Sequence, residues 1–130
     1  MAYIDLSKVT DRHAKIAIDK SPDLVALALD DAEVMTRVVA REFEVHSADI
    51  PLDGSGYIQS EMLYIYCKWA FQYSLFQSLA GSFAEDDIYG VKLLLAERKM
   101  QETKNSLSKC IITETEVVEP QNRNVGIPIL

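Results

Sequence analysis

A chain of 130 residues suits a single domain. Hydrophobic residues make up 48% and charged residues 25%, a balance that supports a packed core and excludes a disordered body. The formal net charge of -7, from 20 acidic and 13 basic residues, opposes general affinity for nucleic acid or anionic membranes, which need clustered Lys and Arg.

The opening "MAYIDLSKVTDRH" has no basic region followed by an apolar core, so no signal peptide is expected and synthesis in the cytosol follows. The first predicted helix is "TDRHAKIAIDK", with Thr10 able to cap it and Asp11 favourably placed in its first turn. Ser21 then Pro22 is a strong helix start. It offers a capping hydroxyl, then a residue fixed near helical φ that lacks the N–H which would otherwise be orphaned. The second helix runs over about 22–45, on the order of 35 Å long at ~1.5 Å per residue. Leu24, Ala28, Met35, Val39 and Glu42–Phe43 recur on it at helical spacing, and Asp30, Asp31, Glu33, Arg37 and Arg41 occupy other faces.

The stretch "HSADIPLDGSGYI" breaks this helix. Pro51, Gly54 and Gly56 cannot sustain it, and the Asp-Gly pair reads as a turn. A third helix is predicted over about 59–80, "QSEMLYIYCKWAFQYSLFQSLA", and it is apolar on nearly every face. Its length is near the ~20 residues that span a bilayer. Lys68, Gln72 and Gln77 interrupt it, however, and no flanking basic cluster sets an orientation. A buried central helix is therefore expected. Its many aromatics, Tyr64, Tyr66, Trp69, Phe71, Tyr73 and Phe76, point in several directions. Some of them, with Tyr64, Phe71 and Tyr73 as candidates, are expected at contacts between subunits.

Gly81 suits the end of that helix. A fourth helix starts near Glu85, with Asp86 and Asp87 in its first turn, and continues to Cys110. On it Ile88, Val91, Leu95 and Glu102 mark one side, with Leu94, Met100 and Leu107 nearby. Gly90 inside it costs about 1 kcal/mol relative to Ala and would permit close approach of another helix. After Cys110, "IITETEVVE" is β-branched and alternating, which predicts an extended strand closed by Pro120. The fold class expected is all-α: a four-helix bundle over 1–110 with an extended, strand-like arm over 111–130.

Convergent chemistry is sparse. His13 and His46 are the only histidines and stand in no HxxxH or HExxH spacing, so no metal is expected. His46, where the second helix ends, suits the helix dipole better than catalysis. The acidic cluster of Asp30, Asp31 and Glu33 reads as a solvated helix face, and Asp86 and Asp87 as a helix start. "LDGSGY" lacks the lysine and preceding strand of a phosphate loop. Cys67 and Cys110 fall in apolar runs and read as buried thiols. Neither an enzyme nor a cofactor is indicated.

The order of these features resembles the small helical head-completion, or head-to-tail connector, proteins of tailed bacteriophages. The resemblance is carried by "YIDLSKVTDRHAKIAI", "SPDLVALALDDAEVMTRVVAREF", the loop "DIPLDGSGYI", "LYIYCKWAFQYSLFQ" and "DDIYGVKLLLAERKMQETKNSL" followed by an extended tail. It rests on architecture across nearly the whole chain. It implies a ring of identical subunits, commonly twelvefold, in the virion neck. That ring would sit below the portal protein, extend the DNA channel for genome ejection, and carry the next neck or tail-terminator protein. It further implies that the C-terminal segment docks on the portal, through Val117, Val118, Val125, Ile127, Ile129 and Leu130. Main-chain pairing would hold such an arm while these side chains fill apolar pockets. An acidic channel wall would let DNA slide through without specific binding, and Asp30, Asp31 and Glu33 are the channel-facing candidates. Two alternatives stay open: a non-viral helical binding or regulatory module, and a tail that folds on its own domain as an edge strand.

Overall fold

The computed structural model describes residues 3–82 and 87–114. It is all-α, with five helices in chain order: α1 Arg12–Lys20, α2 Pro22–Glu42, α3 Glu61–Ser82, α4 Asp87–Asn105 and α5 Lys109–Thr113. Two short 3-10 turns, Leu6–Lys8 and Ser47–Asp49, lie before α1 and after α2. Among the described residues there is no strand, only one isolated antiparallel bridge between Leu52 and Ile58.

The helix ends follow from local chemistry. Asp11, rather than Thr10, caps α1: its carboxylate accepts from the Ala14 N–H at 3.0 Å. Ser21 closes α1 and opens α2, yet its hydroxyl makes no capping bond. Pro22 alone starts α2, because its fixed φ is already helical. α2 ends at Glu42, about a turn before the expected limit. There the Val45 N–H reaches Ala40 O and the Glu44 N–H reaches Arg41 O, both at 2.9 Å. This is a Schellman closure, with Glu44 left-handed at φ 64 and Val45 buried beneath it.

The loop that follows turns at Asp53, whose carboxylate accepts from the Ser55 and Tyr57 N–H groups at 2.8 and 3.0 Å. Gly56 supplies the positive φ of 88 that the turn needs. The start of the chain is tied to this loop through Ile58 N–H and Tyr3 O, 2.9 Å apart.

α3 is the centre of the molecule. It packs antiparallel between α2 and α4, and also meets α1 and α5. Leu63, Ala70, Phe71 and Leu75 are fully buried along it. Among its described side chains only Glu61, Gln77 and Ser78 are exposed and the rest are buried or half-buried, which is the physical reason for its lack of a polar face. Polar ties fix its register on α2: Ser74 Oγ donates to Asp31 Oδ2 at 2.8 Å, and Cys67 Sγ lies 3.9 Å from Ala32 O. The helix runs on to Ser82, so Gly81 is not its terminator.

Over 111–113 the strand expectation fails. Ile111 and Ile112 belong to α5, which Ser108 caps by accepting from the Ile111 N–H at 3.1 Å. Ile112 is fully buried, so the helical domain extends beyond the expected boundary at 110. The remainder of the expected arm, with Val117, Val118, Val125, Ile127, Ile129 and Leu130, lies outside the described residues.

Candidate functional site

Among the described residues, no group of three or more His, Cys, Asp or Glu side chains could hold a metal ion. No helix among them is long and apolar enough to cross a membrane. His13 is half-buried on α1 and meets Tyr89 of α4 edge-on, with ring centroids 5.9 Å apart. His46 is exposed and begins the Ser47–Asp49 turn after α2 has ended.

Of the candidate subunit contacts, Phe71 is fully buried and presents no surface; it belongs to the core. Tyr64 is half-buried, and its hydroxyl accepts from the Asp5 N–H at 3.0 Å. Burial raises its phenol pKa above the ordinary range, against the pull of that N–H. Tyr73 is half-buried and lines an open cleft of about 240 Å3 with Tyr66, Glu97, Met100, Gln101 and Lys104. Burial, together with the nearby Glu42 carboxylate, pushes the Tyr66 phenol up to about 12. At one end of this cleft Lys104 is paired with Glu42 at 2.9 Å, joining the last turns of α4 and α2.

The acidic cluster does not form one solvated face. Asp30 and Asp31 are exposed, but Glu33 is buried and ion-paired with Arg37 at 3.0 Å. Asp31 and Glu33, two apart, project to different sides of the helix, and Glu33 is the one turned toward Arg37. Glu33 therefore lines no channel in this fold.

Gly90 was expected to admit a close neighbour. A Cβ built there would meet nothing within 4 Å, so among the described residues no other helix packs closely against it.

The most informative feature is where the outer helices leave apolar side chains. On α2, Leu27, Val34 and Val38 are 59%, 53% and 54% exposed. On α4, Val91 and Leu94 are 65% and 67% exposed, while Tyr89, Leu93, Ala96 and Met100 face the core. The side marked by Ile88, Val91, Leu95 and Glu102 is thus the outer one. Helix periodicity revealed the stripe; it could not tell which of two apolar stripes on α4 faces inward. On α2 the outer stripe borders a shallow groove of about 280 Å3, lined by Val34, Arg37, Val38, Arg41 and Ser47. Apolar side chains recurring along the outer faces of both flanking helices suit association with another protein surface. No protein-family model, curated protein or solved structure matches this chain.

Proposed function

We propose that this chain is a structural assembly protein that works by association of its surfaces, and specifically a head-to-tail connector of the tailed-phage type. In this reading identical copies form a ring beneath the portal, extend the DNA channel, and seat the next neck or tail-terminator protein. The observation that carries the proposal is the pair of exposed apolar stripes, Leu27, Val34 and Val38 on α2 and Val91 and Leu94 on α4, on helices that flank the buried α3. A protein acting on a small substrate needs convergent polar groups in an enclosed cleft. Among the described residues the clefts lined by Tyr66 and Lys104, by Asp11 and Lys92, and by Val34 and Arg41 are open, and none of the three brings a histidine together with a nucleophile. The order of elements along the chain supports the connector reading within the assembly class. Asp30 and Asp31 remain the acidic groups with surface to offer a channel, and the segment beyond Glu114 is the candidate portal-docking arm.

The test is native mass spectrometry and negative-stain imaging, with and without a tailed-phage portal protein from the same genome. Rings on the portal are the expected result. A chain that stays monomeric both alone and with the portal overturns the proposal. A discrete complex with a non-viral protein instead would establish the binding-module alternative.

A further inference from the structure

We infer that the cleft where the start of α1 meets α3 and α4 binds a carboxylate carried on a small apolar stem, either a free organic acid or an acidic side chain of another protein. Val34, Val38, Val91 and Leu94 are not among its lining residues, so the site would serve an assembly protein or a monomer alike.

Gln72 of α3 is a buried polar group with nothing to bond. It is 4% exposed and lines this cleft. Among the described residues its side-chain amide makes no hydrogen bond. A buried amide left unpaired has given up its bonds to water and regained none in the fold. A ligand in the cleft would restore them.

Charge names the ligand. Lys68 on α3 and Lys92 on α4 both line the cleft, together with the Asp11 carboxylate. Both Asp11 oxygens are occupied, one by Lys92 and the other by the Ala14 N–H. Lys92 is thus anchored, with its Nζ 5.8 Å from the centroid of the Phe76 ring, and an ammonium that gives one N–H to Asp11 keeps others to donate. Among the described residues Lys68 takes no ion pair. Its Nζ lies 5.1 Å from the centroid of the Trp69 ring, a cation–π placement that keeps the charge beside the cleft. Two ammonium groups against one carboxylate leave a positive charge uncompensated, in a chain whose net charge is -7. Free donors outnumber free acceptors here, and an anion is their complement.

The lining narrows the class of anion. Trp69, Phe76 and Leu95 supply an apolar part of the wall, which a bare phosphate or sulfate would leave uncovered. The cleft holds about 150 Å3, a volume that takes a benzene-sized group. A carboxylate on one small ring or a short chain covers the apolar wall and offers its two oxygens to Lys68, Lys92 and Gln72. A few convergent polar groups set among apolar ones is the make-up of a small-ligand site.

Trp69 is the only tryptophan of the chain, so its fluorescence reports this cleft alone. Sodium benzoate titrated into the full chain at constant ionic strength should change that fluorescence saturably, in the millimolar range expected of so small a ligand. It should also shift the Gln72 side-chain amide signals in NMR spectra. Benzamide, of the same shape without the charge, should bind about tenfold more weakly. Lys68→Met and Gln72→Leu should each weaken benzoate about tenfold, with melting curves checked against the parent. Should Gln72→Leu fail to fold, Lys68→Met, at a half-buried position, decides the matter with the Gln72 amide signal.

A Gly-Glu-Gly peptide blocked at both ends separates the two sources. Binding tighter than benzoate assigns the cleft to an acidic side chain of a protein partner, and binding no tighter assigns it to a free acid. A response to benzoate that is absent, that never saturates, or that Lys68→Met leaves unchanged overturns the inference. So does inorganic phosphate that displaces benzoate at equal concentration, because the cleft would then be only a patch of positive charge.

Discussion

Lys92 on α4 is ion-paired with one carboxylate oxygen of Asp11, while the other oxygen caps α1 by accepting from the Ala14 N–H. One side chain thereby fixes both the start of α1 and its position against α4. Burial by itself would raise the Asp11 pKa. The hydrogen bond from Lys92, the Ala14 N–H and the Lys92 charge outweigh it and hold the carboxyl below its ordinary 3.8. A carboxyl depressed in the folded state contributes stability above its unfolded pKa and loses it as pH falls through the folded value. Asp11→Ala should cost about 1–2 kcal/mol at neutral pH, and the difference from the parent should shrink below about pH 3.8. Asp11→Asn keeps a capping group and should lose less. Urea denaturation at pH 7 and pH 3 measures both; a difference that grows on acidification would reject the assignment.

Two backbone positions carry the wrong residue for stability, in opposite senses. Glu44 occupies the left-handed C′ site of α2 at φ 64, where glycine avoids the Cβ clash. Gly90 sits inside α4 with nothing near a would-be Cβ. Glu44→Gly should stabilise by a few tenths to about 1 kcal/mol, and Gly90→Ala by about 1 kcal/mol. Thermal melts of the two variants and their combination check this, and the gains should add, because the sites lie on different helices.

Phe71 and Leu94 make a paired comparison. Phe71 is fully buried and Leu94 is 67% exposed. Phe71→Ala should cost about 3–5 kcal/mol, whereas Leu94→Asp should stay within about 0.5 kcal/mol of the parent. Chemical denaturation of the isolated chain distinguishes core from surface in each case.

The two thiols should differ in reactivity. Cys67 is buried on α3, and burial pushes its thiol up to about 12. Cys110 is half-buried. At pH 8 a thiol-reactive chromophore should label Cys110 quickly in the folded protein and reach Cys67 only on unfolding, because the thiolate is the attacking species. Equal rates would mean that α3 opens far more often than its packing implies.

Residues 117–130 lie outside the described residues, whose core Ile112 closes against α3. A chain truncated to remove them should keep its helical circular dichroism and its melting temperature within a few degrees, and should lose binding to the portal. A truncation that unfolds the domain would make the tail an internal structural element.

The all-α class, the start of α2 at Pro22, the Asp53 turn and the burial of α3 could be read directly from the order of residues. Each depends on local backbone chemistry or on a helix with no polar side left to expose. Three features needed the third dimension. "IITETE" alternates like a strand, but Ser108 offers a cap and α3 offers a pocket for Ile112, so packing overrides propensity. Glu33 looks like part of an acidic surface, yet the pitch of α2 turns it inward to meet Arg37. On α4 the periodicity supplies two apolar sides, and only contact with α3 decides that Tyr89, Leu93, Ala96 and Met100 face in while Val91 and Leu94 face out. Periodicity reports that a stripe exists. Which stripe is left for a partner depends on residues distant in the chain, and the tertiary structure alone brings those together.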